Sequence, residues 1–169
     1  MARVEERAKA TFKDTVTMES TLHGNRRKIE LVTANDTLTK EESGKLFVFN
    51  DADGAVLTLP DSGAGDITGV YYDFYINVTA TSNAHKVICS DTTNEDLYGL
   101  ARNSDTDSSD AAVNFAALTG DNFDFISCNG TTTGIQGSSW RVTNIAADVW
   151  KVEGDFLSTG SPATPFGST

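Results

Sequence analysis

The stretch from Leu38 to Tyr75 most constrains the fold of this 169-residue chain. It contains two short apolar runs, residues 46–50 and 55–59, separated by polar residues that end in Asp53-Gly54. A turn at Pro60 follows and leads into an aromatic segment. Short apolar runs on either side of an Asp-Gly pair are typical of a β-hairpin, and the connection is too short for a crossover helix. The stretch therefore predicts a hairpin that leads into a third strand.

Strand-like alternation continues through most of the chain. In residues 70–79, Tyr72, Phe74, Ile76 and Val78 fall on one face and mainly polar or amphipathic residues on the other, as in a half-buried strand. Residues 86–90 are predicted to pair with this strand in a second hairpin. Further strands are predicted at 29–32, 123–129, 139–145 and 149–154. Residues 91–121 are rich in Ser, Asp, Thr and Asn, and are predicted to form a long polar loop at the rim of the molecule.

This pattern predicts an all-β fold, either an antiparallel β-sandwich or a jelly-roll-like barrel, with an N-terminal arm. The only helical signal is a single turn in residues 38–44, where Thr39 and Glu42 fit a capping box and Gly44 ends the turn. Trp140 and Trp150 are predicted to be core anchors or a cross-strand aromatic pair. The predicted core is Phe47 or Phe49, Leu57 or Leu59, Phe74, Ile76, Ile88, Phe125, Val142 and Trp150.

Composition and strand pattern divide the chain into an arm, residues 1–28, a β domain, residues 29–157, and a C-terminal tail, residues 158–169, and charge sets the arm apart. The arm carries seven Lys or Arg against four acids, a net charge of +3, whereas the whole chain carries −11. The strongly acidic body should repel nucleic acid and anionic membranes. No apolar stretch approaches the length of a membrane span, and the first residues lack the apolar region of a signal peptide. We therefore expect synthesis in a host cytoplasm, with no nucleic-acid or membrane partner.

Residues with catalytic or metal-binding chemistry are sparse. His23 and His85 are the only histidines, no nucleophile motif surrounds either, and Cys89 and Cys128 are predicted to be buried free thiols. Asp51–Asp53 and Asp105–Asp110 are acidic, but neither cluster has the full ligand pattern of a calcium loop. We therefore expect no enzyme, no cofactor and no structural metal ion.

An ordered set of short motifs resembles small virion structural proteins of tailed bacteriophages. The set begins with Leu38-Thr39, Glu42-Ser43-Gly44-Lys45, the Phe47-Val48-Phe49-Asn50 run, Thr58-Leu59-Pro60 and a glycine-initiated aromatic strand. It continues with Ser90–Thr93, Asn129–Gly134, the strands of Trp140 and Trp150, and Ala163–Phe166. The resemblance covers residues 29–166 and leaves the arm outside it.

This resemblance implies a capsid decoration, or cement, protein on the outer surface of the virion. The family implies the major capsid protein as partner and self-association, most often as a homotrimer. An alternative within the resemblance is a fibre or receptor-binding domain that recognises host glycans; an exposed aromatic shelf would favour it.

We expect the arm to attach the protein to the capsid, because extended arms can add a strand to an exposed sheet edge. Its candidate contact residues are Arg3, Val4, Arg7, Lys9, Phe12, Lys13, Val16 and Met18.

Overall fold

Strands form nearly all of the regular structure in the computed structural model, which describes residues 26–63, 66–107 and 112–169. Within these residues the strands are β1 (Ile29–Val32), β2 (Asp36–Thr37), β3 (Leu46–Phe49), β4 (Val56–Thr58), β5 (Tyr71–Ile76), β6 (His85–Ile88), β7 (Asp96–Asp105), β8 (Val113–Ala117), β9 (Phe125–Cys128), β10 (Ser139–Ala146), β11 (Val149–Ser158) and β12 (Phe166–Gly167). The same part of the chain has one 3-10 turn, Lys40–Glu42, and no helix long and apolar enough to cross a membrane.

Two sheets pack face to face around one apolar core. This confirms the predicted all-β fold and, of the two predicted arrangements, the sandwich. The seven-stranded sheet has the order β1-β3-β5-β10-β11-β7-β8, and the five-stranded sheet has the order β12-β9-β6-β4-β2. Both sheets are mixed. Strands β1, β3 and β5 run parallel to one another, and so do β2, β4 and β6, whereas β5, β10 and β11 form antiparallel pairs.

The two predicted hairpins are wrong, because the first six strands alternate between the sheets. Strand β3 lies in the seven-stranded sheet and β4 in the five-stranded sheet, and the same holds for β5 and β6. The chain thus winds around the core, and each strand pairs in parallel with the strand two positions later. A glycine-rich turn serves equally well for a hairpin and for a corner between sheets, so the local sequence does not distinguish them.

The corners stack on one another. In the corner after β3, Gly54 has φ +82°, and an added Cβ would lie 2.5 Å from the carbonyl oxygen of Asn83 in the corner after β5. The N–H of Thr81 donates to the carbonyl of Ala52 at 2.8 Å. At the same level, the amide of Asn77 donates to the side-chain oxygen of Asn50 at 2.6 Å. Only glycine combines this positive φ with so close an approach of two backbones.

The prediction of a long loop over residues 91–121 is also wrong. This region contains β7, one of the two longest strands described, and β8, which pairs with it antiparallel. Apart from Leu97, the inward positions Gly99, Ala101 and Asn103 of β7 lack the large apolar side chains that reveal a strand. The buried amide group of Asn103 donates to the carbonyl oxygens of Thr132 and Ala163, at 2.8 and 3.0 Å.

An aromatic row crosses the core side of the seven-stranded sheet. Phe47, Phe74 and Trp140 are register partners on β3, β5 and β10, and Phe156 continues the stack from β11. Ring centroids are 5.9 Å apart for Phe47 and Phe74, 5.2 Å for Phe74 and Trp140, and 5.3 Å for Trp140 and Phe156. Gly154 is the register partner of Trp140, and a Cβ there would lie only 2.3 Å from the Trp140 Cβ.

The predicted core is confirmed at most positions. Both members of the pairs Phe47/Phe49 and Leu57/Leu59 are buried, because residues two apart in an extended segment lie on the same face. Ile88 and Phe125, in contrast, are only partly buried, and their neighbours Val87 and Ile126 face inward instead. Trp140 and Trp150 are core anchors and not a cross-strand pair, since Trp150 is opposite Asn144. Both cysteines are buried free thiols, as predicted.

The predicted helical turn before β3 is confirmed. It spans Lys40–Glu42, and the carboxylate of Glu42 accepts hydrogen bonds from the N–H and the hydroxyl of Thr39, at 2.8 and 2.9 Å. Gly44 follows with φ +85°, as expected for a residue that ends a turn. The turn leads directly into β3, and the carbonyl oxygen of Gly44 accepts a hydrogen bond from Arg27 at the rim of the seven-stranded sheet.

Glu95 is a buried carboxylate that joins the loop after β4, its own loop before β7 and strand β11, and it has no cationic partner among the described residues. It accepts hydrogen bonds from the hydroxyl and N–H of Ser62, the hydroxyl of Ser90 and the N–H of Asp91, and the indole N–H of Trp150 lies 3.5 Å away. Burial alone would raise the pKa of Glu95, but the hydrogen bonds from Asp91 and Ser62 outweigh it and lower that pKa. The charged carboxylate therefore stabilises this end of the sandwich.

The end of segment 158–169 packs against the body. Strand β12 pairs with β9, and the ring of Phe166 is buried against Phe123, with centroids 5.8 Å apart. The N–H and hydroxyl of Thr169 donate to the carboxylate of Asp124, at 3.0 and 2.7 Å. These contacts make the segment the edge of the five-stranded sheet.

Truncating the aromatic row tests the core. Phe74→Ala should lower the free energy of unfolding by about 3–5 kcal/mol, because it leaves a cavity at a fully buried position between Phe47 and Trp140. Leu100→Ala, at a position 53% exposed on the opposite face of the same sheet, is the control and should change it by less than about 0.5 kcal/mol. Urea denaturation measures both. A loss below about 1 kcal/mol for Phe74→Ala would contradict the packing.

Glu95→Gln should lower the free energy of unfolding at pH 7 by about 1–3 kcal/mol, because an amide NH₂ replaces an acceptor surrounded by donors. The pKa of Glu95 is lowered in the folded state, so its contribution is present at neutral pH and is lost as the pH falls through that pKa. The difference between wild type and variant should therefore shrink below about pH 4. Urea denaturation at pH 7 and pH 3 checks this, and an equal difference at both pH values would argue against the charged state.

Candidate functional site: the outer face of the seven-stranded sheet

Two rows of side chains, set by the strand register, cover the outer face of the seven-stranded sheet. The first row joins all seven strands in the order Ile29, Leu46, Asp73, Arg141, Glu153, Leu100 and Ala116. The second row has the order Leu31, Val48, Tyr75, Ser139, Asp155, Arg102 and Asn114. In the first row, charged residues occupy the middle and aliphatic residues occupy both ends. In the second row, one end is aliphatic, with Leu31 and Val48, and the other is polar, with Arg102 and Asn114.

Asp73 is the centre of the charged region. Arg141, its register partner on β10, donates two hydrogen bonds to the Asp73 carboxylate, from Nε at 2.7 Å and Nη2 at 2.8 Å. Arg27 contacts the same carboxylate from the other side. Burial would raise the pKa of Asp73, but the hydrogen bonds from Arg141 and Arg27 outweigh it and lower that pKa. The guanidinium of Arg141 also lies 4.6 Å from the ring centroid of Tyr71.

Two further ion pairs lie on the same face, one between β7 and β11 and one within β11. Arg102 and Asp155 are register partners with a 2.8 Å contact, and Lys151 and Glu153 form a 2.6 Å contact along β11. The side chains of all four residues are at least half exposed. Such solvated pairs contribute little stability, on the order of 0–1 kcal/mol. They instead present donors and acceptors at the surface.

A groove of about 1320 Å³ runs over this face. Its lining includes the charged pairs and three exposed aliphatic residues, Leu100, Leu118 and Ile145, which are 53%, 63% and 50% exposed. At the opposite edge of the sheet, Ile29 and Leu31 on β1 are 64% and 62% exposed. Exposed aliphatic side chains gathered on one face indicate an interaction surface for another protein segment.

The arm enters the structure at the rim of this groove. The candidate contact residues Arg3, Val4, Arg7, Lys9, Phe12, Lys13, Val16 and Met18 all lie outside the described residues. The last part of the arm, Arg26–Lys28, is described. Arg27 donates to the carbonyl oxygens of Gly44 and Lys45, at 2.9 and 3.0 Å, and Lys28 accepts from the N–H of Leu46 at 3.0 Å. These residues therefore belong to the folded body.

The acidic clusters make local turns. The carboxylate of Asp51 accepts from the N–H of Asp53, and that of Asp105 accepts from the N–H of Asp107, each at 3.0 Å. Residues 108–111, which include part of the second cluster, lie outside the described residues. Within residues 26–63, 66–107 and 112–169, no group of three His, Cys, Asp or Glu side chains is arranged to hold a metal ion.

The described histidine and cysteines lie inside the sandwich. His85 opens β6 and is buried against the ring of Phe49, with centroids 4.6 Å apart, and its Nε2 lies 2.9 Å from the carbonyl oxygen of Val78. Burial lowers the pKa of His85, so its neutral form is favoured. Burial raises the pKa values of the Cys89 and Cys128 thiols. Low solvent access and protonated thiols both make these cysteines poor nucleophiles.

The Asp73 cluster was not predicted from the sequence, although one signal for it was present. Asp73 occupies an outward position in an otherwise aromatic strand, and Arg141 occupies the equivalent position in β10. Their pairing depends on β5 lying next to β10, which follows from the topology and not from the local pattern.

The chain was compared with protein-family models, curated proteins and solved structures, and none of them matches it significantly.

A double-mutant cycle tests the strength of the Asp73–Arg141 pair. Asp73→Asn and Arg141→Gln should show a coupling energy of about 1–2 kcal/mol, because the pair is bidentate and the Asp73 side chain is only 14% exposed. The exposed pair Arg102→Gln and Asp155→Asn is the matched control and should couple by less than about 1 kcal/mol. Urea denaturation of both sets provides the measurement. Equal coupling in the two cycles would show that the partial burial of Asp73 has no effect.

Proposed function

We propose that the chain is a capsid decoration protein of a tailed bacteriophage, which binds the outer surface of the head and stabilises it. The observation that carries the proposal is the outer face of the seven-stranded sheet, with its aliphatic flanks and the arm entering at its rim. The partner is the major capsid protein, and the protein acts as a homotrimer through contacts between bodies. This is a binding role that requires no reacting group.

The motif residues that resemble phage virion proteins support the proposal because they are the residues that form the core and the turns of the sandwich. Leu38 and Leu59 are buried, Gly44 ends the turn before β3, and Phe166 anchors the last strand. The side-chain oxygen of Asn129 accepts from the N–H groups of Thr131 and Thr132, at 3.1 and 3.0 Å, and so shapes the following turn. These motif residues therefore build the sandwich itself. The outer face and the arm then determine which partner the protein binds.

Charge also supports a role as a surface layer. The arm has a net charge of +3, and the remaining chain has −14. An acidic body is repelled by nucleic acid and by other acidic surfaces, whereas a basic arm is attracted to acidic groups on a capsid. This difference favours attachment through the arm, with the body facing outward.

The alternative function, a fibre domain that recognises glycans, has less support from the described surface. Sugar-binding platforms depend on exposed aromatic rings that stack on the saccharide. All Tyr, Trp and Phe side chains in the described part of the chain are buried or partly buried, and the strongly exposed large hydrophobic residues are aliphatic. Copy number separates the two functions, because a decoration protein is present in many copies per particle and a fibre in few.

Removal of the arm tests the proposal. The deletion should end at residue 25, because Arg27 and Lys28 hydrogen-bond to the body. The truncated protein should retain its fold, checked by circular dichroism, and should lose most of its binding to undecorated heads of the phage that encodes it. Occupancy is measured by sedimentation of the heads and densitometry.

The matched control is Lys40→Gln, which removes one exposed cation from the body and leaves the arm intact. This variant should decorate heads as well as the wild type does. Undiminished binding of the truncated protein would contradict attachment through the arm. Failure of the intact protein to bind heads at all would contradict the proposed function.

A further inference from the structure

The corner between β5 and β6, residues 77–84, is held between two neighbouring loops. On one side, an added Cβ at Gly54 would lie 2.5 Å from the carbonyl oxygen of Asn83. On the other side, an added Cβ at Gly130 would lie 2.2 Å from the carbonyl oxygen of Ala80. The corner is therefore the middle of three stacked loops, and its backbone contacts both neighbours closely.

His85 joins the two ends of this corner. Its Nε2 lies 2.9 Å from the carbonyl oxygen of Val78, seven residues earlier. A carbonyl oxygen only accepts hydrogen bonds, so Nε2 carries the proton of the neutral ring and Nδ1 is left unprotonated. His85 is fully buried, and its Nδ1 has no hydrogen-bond partner among the described residues. The site therefore fits a ring that is protonated at Nε2 alone.

A proton added at Nδ1 would create a buried positive charge and an N–H group that has no acceptor. The ring of Phe49 on β3 stacks on the imidazole, with centroids 4.6 Å apart. Cys128 is the register partner of His85 on β9, and burial raises the pKa of its thiol, so it supplies no negative charge. Burial lowers the pKa of His85 and outweighs two opposing effects, the hydrogen bond to Val78 and the charge of Asp51 in the corner after β3.

The corner itself contributes little to the core, since Ala80 is its only buried residue. Segments with few buried apolar contacts open at a lower free energy than the core does. We propose that His85 is a pH-sensitive switch for this corner: the neutral ring keeps residues 77–84 packed, and protonation at Nδ1 opens them while the rest of the sandwich stays folded. This inference does not depend on the proposed function.

The pH range of the switch follows from the two states of the ring. The pKa of His85 is lowered in the folded protein, whereas a histidine in an unfolded chain has a pKa of about 6.5. The closed corner therefore loses stability as the pH falls below about 6.5, by at most about tenfold in the closed-to-open ratio per pH unit. Asp and Glu carboxyls have ordinary pKa values near 4, so the range from pH 7 to pH 5 isolates the effect of the imidazole.

Hydrogen exchange by NMR at pH 7 and pH 5 tests the proposal. The amides of Thr81 and Asn83 donate to carbonyl oxygens in the corner after β3 and report on opening. After correction for the intrinsic exchange rate, their protection should be at least fivefold lower at pH 5. The amide of Leu97 donates to the carbonyl of Phe123, at the end of the sandwich away from His85, and should stay more protected than both at each pH.

His85→Gln removes the titrating group. The Gln amide can still donate to the carbonyl of Val78, but it takes up no proton in this range. Protection of Thr81 and Asn83 in this variant should change less than twofold between pH 7 and pH 5. His23→Gln removes the other histidine of the chain and is the matched control, which should behave like the wild type.

Titration of the imidazole signals by NMR gives a measurement on the unmodified chain, which remains decisive if His85→Gln does not fold. The His85 ring should titrate below about pH 6.5, together with the loss of protection in the corner. A ring that titrates at or above this value, or an equal loss of protection in His85→Gln, would overturn the proposal. Equal protection of Leu97 and the corner would overturn it in favour of global unfolding. These experiments need no capsids, so their failure is distinct from failure of the proposed function.

Discussion

The row formed by Phe47, Phe74 and Trp140 is the contact on which the rest of the sandwich depends. These three side chains are register partners on adjacent strands, and their stacking fixes which residues of each strand face inward. A slip of one residue would exchange the buried and exposed faces of a strand. Gly154 completes the row by leaving space for the Trp140 indole.

The strand register that these core contacts set also determines which residues lie on the outer face of the sheet. Once Phe74 and Trp140 point inward, their neighbours Asp73 and Arg141 must point outward and meet across β5 and β10. The same alternation places Ile29 and Leu31 outward on the edge strand. The surface with the strongest case for function is therefore a direct consequence of the aromatic packing on the other side of the sheet.

The proposed attachment depends on one rim of the outer face. Arg27 holds the described end of the arm at this rim through the Asp73 carboxylate and the backbone carbonyls of Gly44 and Lys45.

The sequence by itself determined that the chain is all-β, which face of β5 is buried, and where the turn before β3 lies. These properties depend on alternation and capping within a few residues. Only the tertiary structure decided that β3 and β4 belong to different sheets, that the segment around Asn103 is a strand, and that Asp73 meets Arg141. Corners and hairpins use the same turn residues, small inward side chains hide a strand, and cross-strand pairs join residues far apart in the chain. Such features depend on which strands lie side by side, and local sequence does not encode this.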